Sequence, residues 1–175
     1  LAQAFEVVAS CEATAETVVR CLKELTVAAG PCQLVGGQVD DLRAENTVGN
    51  AQQLQKIHER KTGAMFRVSL RLGAIAAGAS DEQVALLDTY GKHLGLAFQI
   101  VDDLLDEQGD VQQLGKQTGK DTEHGKLTYP ALMGVRESQD LAADLIRQAC
   151  EQLEPFGETA EPLRQLAYFV LERNN

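Results

Sequence analysis

Tryptophan is absent from this 175-residue sequence, and aromatic residues make up only 5% of it. The sequence also lacks an uninterrupted apolar stretch of the ~18 residues that a membrane-spanning helix requires, so we expect no membrane span. Positive charge is scarce too: the sequence has 16 Lys and Arg residues against 26 Asp and Glu residues, which gives a net charge of −10. A phosphate backbone requires a basic face, so this balance argues against a nucleic-acid partner.

Cysteine is sparse as well, with four residues at positions 11, 21, 32 and 150. None forms a C-x-x-C pair, and no histidine lies at zinc-ligand spacing from them. We therefore predict reduced, mostly buried thiols in a cytoplasmic protein rather than disulfides or a zinc site.

What the sequence has in quantity is Ala, Leu, Gln and Glu, all good helix formers. Breakers and caps divide it: Gly30-Pro31 ends one segment, and Ser80 with Gln83 forms a capping-box pattern at the start of another. The predicted helices cover residues 1–9, 12–29, 32–44, 51–78 and 81–107, then two or three more with a break near 155–157 and a last start near Pro162. No alternating strand pattern occurs, which indicates one all-α bundle over residues 1–175.

The acidic run DDLLD follows an apolar stretch near the end of the helix predicted for 81–107. Asp102 and Asp106 share a helix face, and Asp103 lies three residues from Asp106. Clustered carboxylates require a counter-charge, and hard oxygen ligands suit Mg²⁺. The alternative is a solvated acidic patch, which the helix dipole disfavours at a C-terminus.

A long irregular stretch, predicted for 109–129, carries three Gly-Lys pairs that begin at Gly115, Gly119 and Gly125. Glycine lets the backbone approach an anion, and lysine supplies a mobile positive charge for phosphate. The spacing is not that of a P-loop, and a flexible surface loop is the alternative.

Two further patterns place glycine inside predicted helices. Lys61-Thr62-Gly63 interrupts the 51–78 segment, and Gly36-Gly37 lies within 32–44 just before Gln38. Glycine in a helix interior costs about 1 kcal/mol relative to alanine, so each pattern suggests close packing or ligand approach. A solvated Lys61 is the simpler alternative.

In combination these motifs resemble the class I trans-prenyltransferases, the farnesyl and geranylgeranyl diphosphate synthases. The matching stretches, in order, are GGQVDDL at 36–42, IHERKTGAMFR at 57–67, GLAFQIVDDLLDEQGD at 95–110 and GKQTGKDTEHGKLTYPAL at 115–132. The resemblance covers essentially the whole chain and implies the C-terminal part of the antiparallel all-α bundle of the isoprenoid synthases. It also implies a cytoplasmic homodimer.

The implied reaction is the Mg²⁺-dependent condensation of isopentenyl diphosphate with an allylic diphosphate, with Mn²⁺ as a possible substitute metal. The resemblance assigns Asp102, Asp103 and Asp106 as metal ligands, with Asp102, Asp103 and Lys61 in the catalytic set. The residues implied to contact the allylic diphosphate are Lys61, Thr62, Gln99, Lys116 and Lys126. Asp121 is implied to orient the loop or its lysines. Phe98 and Met65 are candidates for an apolar wall, although core packing is the safer interpretation of both.

The sequence departs from the family in one respect. The family's first aspartate-rich motif, and the basic residues that hold isopentenyl diphosphate, do not occur in these 175 residues. We therefore expect the chain to be part of a longer synthase and to be inactive alone. The alternatives are a non-catalytic helical partner subunit and a related class I cyclase or head-to-head condensing enzyme.

Overall fold

The structure, a computed structural model, describes residues 1–45, 47–114 and 126–173, with the backbone alone for 108–114. Within these ranges it is helical throughout, without a strand. The α-helices are α1 (Ala2–Ser10), α2 (Ala15–Ala29), α3 (Leu34–Ala44), α4 (Ala51–His58), α5 (Ala64–Ala76), α6 (Asp81–Leu114), α7 (Tyr129–Met133), α8 (Val135–Glu151) and α9 (Glu161–Glu172). A π-helical segment, Glu59–Gly63, joins α4 to α5, and a 3₁₀ segment, Glu154–Ala160, precedes α9.

Helix ends follow the predicted signals closely. Helix α2 stops one residue before Gly30, and α9 begins at Glu161 with Pro162 in its first turn. The capping box is present in both directions: the Gln83 amide donates to Ser80 Oγ at 3.2 Å, and the Ser80 amide donates to Gln83 Oε1 at 2.9 Å. The predicted all-α bundle is thus confirmed for the described residues.

Two predictions about helix continuity are wrong. The segment predicted as one helix over 51–78 contains the π-helical segment at its middle, where packing on both sides overrides the regular period. Helix α6 extends to Leu114 rather than ending near 107, so the irregular stretch does not begin at Gly109. A single glycine costs about 1 kcal/mol, which good helix formers on either side can offset.

The 34-residue helix α6 is the central element of the bundle. It packs most extensively against α8 and α5, and it also contacts α4, α7, α9 and the π-helical segment. The largest core cluster lies between α6, α8 and α9 and includes Tyr90, Leu94, Ile100 and Ile146. Smaller clusters fasten α1 and α2 to α5. The elements that flank DDLLD are therefore fixed by the core of the domain.

Glycines allow the π-helical segment to be held from both sides. A Cβ on Gly37 of α3 would overlap the Lys61 backbone, with the Lys61 Cα only 2.7 Å away. On the opposite side, a Cβ on Gly95 of α6 would lie 3.0 Å from the Cα of Gly63. The backbone that carries Lys61 and Thr62 therefore lies tightly between α3 and α6, which explains the interior glycine at position 37.

The cysteine prediction holds only in part. All four thiols are free, and Cys21 is buried. Cys11 and Cys32 are exposed, so the expectation of mostly buried thiols was wrong. Both follow or precede helix breaks at the surface rather than lying on a core-facing helix stripe. In the ranges given above, no helix is both long enough and apolar enough to cross a membrane.

Candidate active site

The three aspartates of DDLLD lie in different environments on α6. Asp106 is exposed, with 62% of its side-chain surface accessible, and Asp102 is partly exposed. Asp103 is buried, with only 2% of the residue accessible. Because neighbouring helix positions point about 100° apart, the run presents two carboxylates outward and one to the interior.

Lys126 approaches Asp106 from the chain that leads into α7. Its Nζ lies 3.4 Å from Asp106 Oδ2. Burial lowers the pKa of Lys126, but the negative charges of Asp106, Asp103 and Asp41 outweigh burial and raise it above its ordinary value. Lys126 is therefore a firmly protonated cation beside the acidic group.

Lys61 lies on the π-helical segment and faces α3. Its Nζ donates to Asp41 Oδ2 at 2.5 Å, with both side chains partly buried. The preceding Arg60 pairs with Asp40 in the same way and also donates to the Cys32 carbonyl at 3.1 Å. Asp41 therefore pairs with Lys61 and also contributes to the raised pKa of Lys126.

Thr62 and Gln99 are in direct contact. Thr62 Oγ1 donates to Gln99 Oε1 at 2.7 Å, linking the π-helical segment to α6. Gln99 lies three residues before Asp102 and is 8% exposed. The structure thus brings together the pairs Thr62–Gln99 and Lys126–Asp106, with Lys61 close by.

Other predicted residues do not join this group or cannot be placed in it. Lys116 and Asp121 lie outside the described residues. Met65 packs with the cluster of α2 and α5, whereas Phe98 packs with the main core and contacts Phe66 at 5.2 Å between ring centroids. Met65 and Phe98 thus pack against different clusters of the core.

Asp103 makes a buried contact that the sequence did not predict. Asp103 Oδ2 accepts the backbone N–H of Tyr129 at 3.1 Å and lies 3.4 Å from His58 Nε2. The His58 and Tyr129 rings stack with centroids 5.8 Å apart. The only sequence signal was the position of His58 and Tyr129 inside the motif stretches 57–67 and 115–132.

The donor set fits Mg²⁺ only as an open site. Within the described part of the chain, no three His, Cys, Asp or Glu side chains converge so as to hold a metal ion by themselves. Mg²⁺ is usually bound by one or two carboxylates, water and substrate phosphate oxygens. The outward carboxylates Asp102 and Asp106 match that requirement, and the adjacent lysines suit a phosphate-bearing ligand.

Comparison with known proteins identifies the family. Residues 1–161 match the sequence model described as Polyprenyl synthetase. The chain is 41% identical over 162 residues to the dimethylallyltranstransferase of Fischerella ambigua (strain UTEX 1903), covering 92% of this chain and 47% of that protein. It is 41% identical over 157 residues to the farnesyl diphosphate synthase of Escherichia coli (strain K12), covering 87% of this chain and 52% of that protein.

A solved structure agrees with the sequence comparisons. The geranyltransferase from Helicobacter pylori, complexed with magnesium and isoprenyl diphosphate, superposes with a TM-score of 0.77 at 29% identity. The match covers 97% of this chain and 55% of that one. The chain spans about half the length of the curated relatives that it matches. By sequence and by fold, the chain belongs to the polyprenyl synthetase family.

Proposed function

We propose that the complete gene product containing this chain is a prenyltransferase, which condenses isopentenyl diphosphate with an allylic diphosphate in the presence of Mg²⁺. The observations that support the proposal are the Lys126–Asp106 contact and the Thr62–Gln99 hydrogen bond, which joins the segment of Lys61 to the helix of the aspartates. Short-chain products of the farnesyl or geranylgeranyl type are proposed from the names of the relatives.

In the proposed reaction the outward carboxylates Asp102 and Asp106 hold the metal, and Lys61, Lys126 and Lys116 contact the allylic diphosphate. Bound Mg²⁺ supplies Lewis-acid stabilisation of the negative charge on departing diphosphate. The lysines add fixed positive charge on the outer oxygens of the same group. These charges together favour loss of diphosphate rather than mere binding of substrate.

One C–O bond then breaks, one C–C bond forms, and one proton is lost. The allylic C–O bond breaks, and diphosphate leaves with the electron pair. The double bond of isopentenyl diphosphate attacks the resulting carbocation, forming the new C–C bond. The released diphosphate accepts the proton that is lost. Gln99 and Thr62 line the allylic substrate.

We propose that the 175-residue chain alone does not catalyse this reaction. The first aspartate-rich motif and the residues for isopentenyl diphosphate are not in its sequence. Use of Mn²⁺, a homodimeric state and a cytoplasmic location are further predictions from the family resemblance.

The test is chain elongation by the complete gene product. Labelled isopentenyl diphosphate, an allylic diphosphate and Mg²⁺ should give a longer prenyl diphosphate. Asp102→Asn should lower kcat by a factor on the order of 100 or more, because Asp102 would hold the Mg²⁺ whose charge stabilises the departing diphosphate. The matched control is Asp140→Asn, an exposed carboxylate on α8. Absence of elongation, or an unchanged rate in Asp102→Asn, would contradict the proposal.

A further inference from the structure

We propose that Asp103 is a positioning residue of the site rather than one of its metal ligands. Its buried carboxylate holds the end of α4 and the start of α7 against α6, which fixes the two segments that carry Lys61 and Lys126. The role in catalysis rests on the proposed function, but the structural tie can be tested without it.

Burial separates Asp103 from its two neighbours in DDLLD. Its side chain is 3% exposed, whereas that of Asp106 is 62% exposed. A Mg²⁺ ion keeps several water molecules and binds carboxylates that reach solvent or substrate. Asp103 Oδ2 instead accepts the N–H of Tyr129 and lies 3.4 Å from His58 Nε2.

The first contact of Asp103, with His58, fixes the segment that carries Lys61. His58 is the last residue of α4, and the π-helical segment begins at the next residue. Its ring is buried, and Nδ1 has no hydrogen-bond partner in the described part of the chain. Its contact with Asp103 Oδ2 at 3.4 Å is therefore the polar contact that sets the ring's orientation. The segment that follows carries Lys61 three residues later.

The second contact of Asp103, with Tyr129, fixes the chain that carries Lys126. Tyr129 is the first residue of α7, and its N–H is one of the donors that a helix start leaves without a partner inside the helix. Asp103 accepts that N–H at 3.1 Å. Because Lys126 lies only three residues earlier, this bond limits where its ammonium can lie relative to Asp106.

The rings of His58 and Tyr129 also stack on each other, which connects the two segments directly. Their centroids are 5.8 Å apart at an interplanar angle of 27°, and both residues are at most 4% exposed. Removing the Asp103 carboxylate would leave the Tyr129 amide without a partner in a dry environment, which is costly. Both lysine-bearing segments would then loosen together.

The first arm of the experiment measures hydrogen exchange of the complete gene product without substrate. Asp103→Ala should accelerate amide exchange in 59–63 and 126–133 by about tenfold or more, because the opening cost falls. Asp103→Asn retains an acceptor oxygen and should restore protection to within about threefold of wild type. Asp102→Asn is the matched control and should leave both segments protected. Unchanged exchange in Asp103→Ala would overturn the tie.

The second arm measures elongation as a function of Mg²⁺ and allylic diphosphate. Asp103→Ala should raise KM for the allylic diphosphate, and Asp103→Asn should recover at least about tenfold of the lost kcat/KM, because its oxygen still accepts both donors. Asp102→Asn should instead increase the Mg²⁺ requirement. An Asp103→Asn variant as impaired as Asp102→Asn, with the same Mg²⁺ shift, would make Asp103 a ligand and overturn the inference.

The two experiments test the inference separately from the proposed function. A wild-type protein that shows no elongation contradicts the proposed function, while the exchange arm still decides whether Asp103 ties the two segments. If Asp103→Ala does not fold, the comparison of Asp103→Asn with Asp102→Asn decides the outcome.

Discussion

Thr62 Oγ1 donates a 2.7 Å hydrogen bond to Gln99 Oε1, across the contact between the π-helical segment and α6. The bond connects a residue next to Lys61 with a residue one helical turn before Asp102. It is a direct side-chain hydrogen bond between the lysine-bearing segment and the aspartate-bearing helix. Its loss should therefore affect both the packing of α6 and the geometry of the site.

Thr62→Val removes the hydroxyl while keeping the shape of the side chain. The Gln99 oxygen, in a residue 8% exposed, would lose its donor, which should lower the free energy of unfolding by about 1–3 kcal/mol. Urea denaturation measures this change, and elongation assays should show a higher KM for the allylic diphosphate. Thr62→Ser keeps the hydroxyl and serves as the control. Equal behaviour of the Val and Ser variants would show that the bond is unimportant.

Gly37→Ala tests the close packing of α3 on the π-helical segment. The added methyl group would meet the Lys61 backbone, which cannot turn aside as a flexible side chain could. We expect a loss of about 1–3 kcal/mol in the free energy of unfolding.

The matched control for Gly37→Ala is Gly73→Ala in α5, where an added Cβ meets nothing within 4 Å. That substitution should stabilise the protein by about 0.5–1 kcal/mol, because alanine is the better helix former. Thermal or urea unfolding of both variants gives the comparison. A stable Gly37→Ala protein would refute the close approach of α3 to Lys61.

Lys126→Gln should separate binding from stability. The Lys126–Asp106 contact is largely exposed, so its removal should change the free energy of unfolding by less than about 1 kcal/mol. Affinity for inorganic diphosphate with Mg²⁺, measured by calorimetry, should fall about tenfold, because a charge-assisted contact is lost. Lys92→Gln, which removes an exposed contact 3.7 Å from Glu59, is the control. Equal diphosphate affinity in the two variants would remove Lys126 from the site.

The pH dependence of that effect follows from the same surroundings. The pKa of Lys126 is raised above its ordinary value by Asp106, Asp103 and Asp41, despite burial. A raised pKa keeps the ammonium charged at every pH below its ordinary value, and its contribution is lost only as pH rises through the raised pKa. The difference in diphosphate affinity between wild type and Lys126→Gln should therefore stay constant between about pH 6 and 9. A difference that shrinks over this range would contradict the assignment.

Tyr90→Phe tests how firmly α6 is fixed to the end of the chain. The Tyr90 hydroxyl donates to the Leu163 carbonyl at 2.7 Å, from a fully buried ring that links α6 to α9. Removing the hydroxyl should lower the free energy of unfolding by about 1–2 kcal/mol, because the carbonyl loses its partner. Tyr168→Phe, at an exposed position on α9, should change it by less than about 0.5 kcal/mol. Equal effects would contradict the buried bond.

Local signals predicted the helix ends because they act within a few residues. The Gly30-Pro31 stop, the Ser80–Gln83 capping box and Pro162 near the start of α9 all worked for this reason. The π-helical segment could not be predicted in this way, because α3 packs on it at Lys61 and α6 packs on it at Gly63, and both helices are distant in the sequence. The extension of α6 past Gly109 was not predicted, because the cost of one glycine in a helix is offset by the helix-forming residues on either side of it.

By itself the sequence determined the all-α class, the family and the identity of the carboxylates and lysines, because each depends on residue type and spacing along the chain. The tertiary structure decided how those residues divide. Asp102 and Asp106 face outward, whereas Asp103 is enclosed by His58 and Tyr129, residues 45 and 26 positions away in the chain. Helical spacing states which positions share a face, but burial depends on which distant segments pack against that face, and only the folded chain brings them together.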